Sequence, residues 1–146
     1  MKIIPPGLFA GRREARRKER ELGSGLWRQA YDRFERGIDR YHQILGGVED
    51  DAVHNQLVVI GDQLADQLPL VYDLCRRANE RWPGTSLQIP GGSRDLHAAL
   101  SRAANHVATT AEAEAMVRLQ HSEVASVQRR ADQVLACLTE AEGAID

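Results

Sequence analysis

The sequence predicts an all-α protein, an antiparallel bundle of three to four helices whose long C-terminal helix has coiled-coil character. Three observations carry that expectation. Apolar residues recur every three or four positions over most of the chain, β-branched runs are confined to Val58-Val59-Ile60 inside such a pattern, and no proline or glycine interrupts residues 94–142. With 146 residues, 42% of them hydrophobic and 27% charged, the chain has one domain's length and enough apolar material for a core. Aromatics make up only 5%, so that core is expected to be built from Ala, Leu and Val.

The chain divides by composition into residues 1–22, an apolar arm and a basic helical segment free to move, and residues 23–146, the helical domain. Residues 1–11 hold Pro5-Pro6 and two glycines and read as an extended arm, because proline lacks the backbone donor a helix needs. Helix-favouring residues run from Arg12 to Leu22, and Gly23-Ser24-Gly25 marks a turn. Trp27, Tyr31, Phe34, Ile38, Tyr41 and Leu45 then line one face of a helix that Gly46-Gly47 ends.

A second helix is predicted from Asp50, where Glu49, Asp50 and Asp51 suit the positive end of a helix dipole. Its apolar face runs from Val53 to Ala78, widened by Val58, Val59 and Leu70, which marks it as the most buried helix. Pro69 is expected to kink it or split it in two. Residues 83–93 have the Pro and Gly content of a connector, with Ser93 as the N-cap of the final helix.

From Arg94 to about Glu142 the pattern predicts one continuous helix, on the order of 70 Å long at ~1.5 Å per residue. Its stripe from Leu96 to Ala141 is close to a heptad repeat, and its small residues Ala99, Ala103 and Ala104 are expected to receive the Trp27, Tyr31 and Phe34 face. Such a helix overhangs the others. It would leave Val134, Leu138 and Ile145 bare, so a homodimer or a helical partner protein is expected to cover them.

No catalytic, cofactor-binding or metal-binding motif is recognisable. A carboxylate-bridged metal site needs Glu-x-x-His pairs on two helices, and the nearest match is the single Asp51-x-x-His54. The serines lack a G-x-S-x-G elbow, Cys75 and Cys137 lack metal-type spacing, and the glycine pairs match no phosphate-binding loop. Glu114 and His121 both fall on the apolar stripe, where an ionisable group costs free energy unless it is paired. They are expected to form either a satisfied polar layer that sets helix register or a pair at a widened or exposed end of the seam, with a pH-sensitive or ligand-binding layer as the functional alternative.

Charge supplies the remaining signal. Residues 1–22 hold seven Lys/Arg against three Glu, and residues 23–146 hold 12 Lys/Arg against 18 Asp/Glu. Apolar Ile3, Ile4, Leu8 and Phe9 directly precede Arg12, Arg13, Arg16, Arg17, Lys18 and Arg20, which together form the candidate partner-binding or lipid-binding segment. The expected function is a non-enzymatic scaffold that binds a partner protein through its helical surface and this segment. The alternative is a peripheral membrane protein held on anionic lipid by residues 1–22. Nucleic acid is a poor expectation, since the rest of the chain is acidic and lacks a DNA-binding helix pair. The absence of a long apolar run and of a secretion signal points to the cytoplasm or the inner face of its membrane. Lysine is scarce beside arginine, a skew that GC-rich bacterial codon usage produces.

Overall fold

The computed structural model describes residues 6–83 and 88–146, with side chains from Phe9 onward. The protein is all-helical, and no strand occurs among the described residues. The helices are α1 (Pro6–Leu22), α2 (Leu26–Leu45), α3 (Asp51–Ala65), α4 (Leu68–Arg81), α5 (Arg94–Arg118) and α6 (Val124–Ile145). One hydrophobic cluster draws on all six.

α2 forms as its spacing predicts, with Trp27, Tyr31, Phe34, Ile38, Tyr41 and Leu45 all buried. This face packs on α5 and α4. At the α5 end the Trp27 ring meets His97 edge-on at 6.1 Å, and the Trp27 indole N–H donates to the Trp82 carbonyl at 3.2 Å. Further along, α2 and α5 approach so closely that a Cβ built on Gly37 lies 2.6 Å from a Val107 methyl. Val107 is fully buried and β-branched, so its χ1 has little freedom to retreat. Gly37→Ala is therefore expected to lower stability by about 1–3 kcal/mol, although alanine gains about 1 kcal/mol of helix propensity. A urea midpoint shifted upward by this change would show that the two helices are not in contact there.

Pro69 splits the second predicted helix. α3 ends at Ala65 and α4 restarts with Pro69 in its first turn, where a missing N–H leaves no intrahelical bond unmade. Asp50 caps α3 by accepting from the Val53 N–H at 2.9 Å. The buried faces are the expected ones, Leu57, Ile60 and Leu64 on α3 and Val71, Leu74, Cys75 and Ala78 on α4. The widening of that stripe holds for Val58 and Leu70, which are half-buried against the core, and fails for Val59, which is 57% exposed.

The single long helix does not exist. α5 stops at Arg118, the chain turns through residues 119–123, and α6 folds back along α5 in the most extensive helix pair of the molecule. The stop is a left-handed cap built on a non-glycine residue, Gln120, with φ 62°. The Gln120 N–H bonds to the Val117 carbonyl at 2.9 Å and the His121 N–H reaches the Met116 carbonyl at 2.8 Å, the paired bonds of a Schellman motif. Folding back lets the second half of the apolar stripe bury itself on the first, so Val127, Ala131, Val134, Leu138, Ala141 and Ile145 are all covered. Arg102 pairs with Glu140 across the hairpin at 2.6 Å. The expected overhang is thus absent, and with it the reason to require a partner over Val134, Leu138 and Ile145.

Two smaller expectations also change. The arm expected over residues 1–11 is helical from Pro6, proline being acceptable in a first turn. Ser93 does not cap α5 with its side chain; its hydroxyl donates to the Pro90 carbonyl at 2.7 Å instead.

Candidate interaction surface

α1 is attached to the rest of the molecule by its C-terminal half. Leu22 is fully buried, and Gly23 comes next with φ 76° and its N–H on the Glu19 carbonyl at 3.0 Å, which turns the chain sharply into α2. The side chain of Asn79 on α4 locks this corner, donating to the Glu21 carbonyl at 3.2 Å. Lys18 pairs with Glu35 at 3.4 Å and lies over the Tyr31 ring, while Arg17 lies over the Tyr72 ring at 4.9 Å with its Nε 3.3 Å from the Tyr72 hydroxyl. Tyr31 donates to Glu35 at 3.0 Å and stacks edge-on against Tyr72. Burial and that hydrogen bond push the Tyr31 phenol well above its ordinary value, so it stays protonated at any physiological pH. Two of the six predicted cations thus hold α1 onto α2 and α4, through two tyrosines and a carboxylate.

The other four cations point away. Arg12, Arg13, Arg16 and Arg20 are exposed, and none forms a side-chain ion pair among the described residues. At about 100° per residue, they and Phe9 fall within an arc of about 100°, on the side of α1 roughly opposite Leu22 and Lys18. Phe9 is 45% exposed within that arc. Glu14 and Glu21 lie outside it and pair with Arg17 at 3.4 and 3.6 Å, and Glu19 stands just beyond its edge. The result is a cationic face with an aromatic ring among the guanidinium groups. Ile3 and Ile4 lie outside the described residues, as does the Leu8 side chain.

Glu114 and His121 do not form a layer. His121 sits exposed in the turn after α5, because the helical phase that would have carried it to the core ends at Arg118. Glu114 is fully buried, and neither of its carboxylate oxygens has a hydrogen-bond partner among the described residues. Desolvation alone raises its pKa from 4.5 to about 8, so it is held as the neutral acid near pH 7. Its neighbour Tyr41 is committed elsewhere, donating to the Leu57 carbonyl at 2.6 Å.

Two further groups have shifted pKa values. Burial pushes the Cys75 thiol up to about 12, and a thiol at that value is a poor nucleophile. His97 is lowered by burial and by the charge of Arg33. No group of three or more His, Cys, Asp or Glu placed to hold a metal ion occurs among the described residues, and none of their helices is long and apolar enough to cross a membrane. No family model, curated protein or solved structure matches the chain.

Proposed function

We propose that this protein is a non-enzymatic interaction module, a helical bundle with an antiparallel α5/α6 hairpin as its frame, that docks an acidic partner protein on the cationic face of α1. The observation that carries this reading is the segregation of the α1 cations. Lys18 and Arg17 are spent on attachment, while Arg12, Arg13, Arg16 and Arg20 share one outward face and no carboxylate among the described residues pairs with them. Four like charges held on one rigid face steer an oppositely charged surface and fix its orientation. Guanidinium groups suit this use because they bind carboxylates in pairs of parallel hydrogen bonds. Phe9 adds an aromatic anchor of the kind that dominates small interfaces.

The test is affinity capture from the native host, with the full chain compared to a variant carrying R12E, R13E, R16E and R20E. The wild type is expected to retain a discrete set of acidic proteins that the variant loses in full, with circular dichroism unchanged. Identical capture by both chains would remove α1 from the function. Phe9 among the arginines also favours a second reading, adsorption to anionic lipid with the ring at the interface. Co-sedimentation with phosphatidylserine vesicles that the same four reversals leave unchanged would dispose of it.

A further inference from the structure

The cationic face of α1 has a counterpart in the same chain. From Tyr41 to Cys75 the sequence contains no Lys or Arg, and it carries Glu49, Asp50, Asp51, Asp62, Asp66 and Asp73. α3 lies wholly inside this stretch and is therefore a helix without a lysine or an arginine. Its core side is Leu57, Ile60 and Leu64. At about 100° per residue, Asp51, Asn55, Val59, Asp62 and Asp66 fall within an arc of about 80° on the opposite side. All five are exposed, and Val59 at 57% is among the most exposed large hydrophobic residues of the protein. No side-chain ion pair neutralises Asp51, Asp62 or Asp66 among the described residues.

The two faces match feature by feature. Each is a single exposed helical arc of one sign, arginine on α1 and aspartate on α3, and each has one uncovered apolar side chain within it, Phe9 and Val59. They do not satisfy one another within the chain: α1 packs on α4 and α2, α3 packs on α6 and α2, and both arcs face solvent.

We infer that the occupant of the α1 face is the α3 face of a second copy of this chain, with Arg12 and Arg16 set against Asp62 and Asp66 and Phe9 seated beside Val59. This rests on the reading of α1 as a docking element and names its partner. Because the two halves of the contact are different surfaces, seating both arms at once closes a two-fold pair, and seating them in succession builds a larger array. Exposed charges govern the rate and specificity of such an association more than its strength, so it is a weak, salt-sensitive contact.

Sedimentation velocity of the full chain over a concentration series tests the inference. In low salt the wild type is expected to sediment above the monomer mass, and at about 1 M salt, where the Debye length falls to about 3 Å, as a monomer. Two charge-reversed variants read the contact from its two sides. R12E/R16E changes exposed side chains that form no ion pair among the described residues, and D62K/D66K places cations at the C-terminal end of α3, where the helix dipole favours them, so both are expected to fold. Each alone is expected to weaken self-association at least tenfold. An equimolar mixture of the two restores it, since the native arm of one variant meets the native α3 of the other, and the two reversed faces meet as well.

A wild type that stays monomeric in low salt overturns the inference, as does self-association indifferent to both variants. The first result, combined with capture of other acidic proteins that the four α1 reversals abolish, removes only the second copy and leaves the α1 reading standing. Loss of that capture sensitivity while the mixture still restores self-association removes the outside partner and leaves the second copy.

Discussion

Replacing Glu114 by Gln is expected to remove a loss of stability that this one carboxyl imposes on the native protein between about pH 4.5 and 8. The buried carboxyl holds its proton in the folded state up to about pH 8 and loses it in the unfolded chain near 4.5. Between those values the folded state binds more protons than the unfolded one, so stability falls as pH rises, by about 1.4 kcal/mol per pH unit. Below pH 4.5 both states are protonated and the group has no effect; above pH 8 both are ionised and the full cost is present. That cost is roughly 4 to 5 kcal/mol, a large share of what a domain of this size has to lose. The amide that Glu114→Gln introduces has the same shape and no ionisation, so the stability difference between the two proteins should be small near pH 4, widen through neutrality and level off above pH 8. Urea unfolding at about pH 4, 6 and 9 measures it directly. A constant difference across that range would mean that Glu114 has a donor or solvent beside it when folded.

This carboxylate also shows where the sequence stops being legible. The apolar stripe places Glu114 inside correctly, since the phase of α5 holds from Leu96 through Val117. The same extrapolation puts His121 inside and fails, because three residues after Arg118 the chain is no longer helical. The terminator is invisible in composition. A left-handed residue is most often glycine, and here glutamine takes the conformation, held by the Schellman bonds to Val117 and Met116. The gain that offsets this local cost is the burial of a whole helix face along α6, a tertiary quantity no local pattern records.

Trp27→Ala is expected to cost about 3–5 kcal/mol, the second large effect. Trp27 is 1% exposed and joins three helices: its own α2, the end of α4 through the hydrogen bond to Trp82, and the start of α5 through the His97 ring. Removing the indole opens a cavity where it lay against Trp82 and His97, and it leaves the Trp82 carbonyl without its donor. Trp27→Phe keeps most of the packing and loses the hydrogen bond, so it should cost about 1–2 kcal/mol. Urea midpoints at unchanged slope read both, and the gap between the two variants isolates packing from the bond. A loss below about 1 kcal/mol for alanine would contradict a shared corner of α2, α4 and α5.

Residues such as Trp27 and Pro69 explain why much of the architecture can be read from the chain alone. Helical spacing is a property of neighbours three and four positions apart, and a proline's missing donor acts where it stands, so the faces of α2, α3 and α4 and the break at Pro69 come from local chemistry. The concentration of cations before Leu22 is equally plain in the sequence. Direction, by contrast, emerges only in three dimensions: α6 returns along α5, Val59 faces water, Lys18 and Arg17 hold α1 down, and Arg12, Arg13, Arg16 and Arg20 face out. Each depends on which distant surface an element meets, and that choice is made by total buried area and charge pairing across the whole molecule, which sequence spacing does not encode.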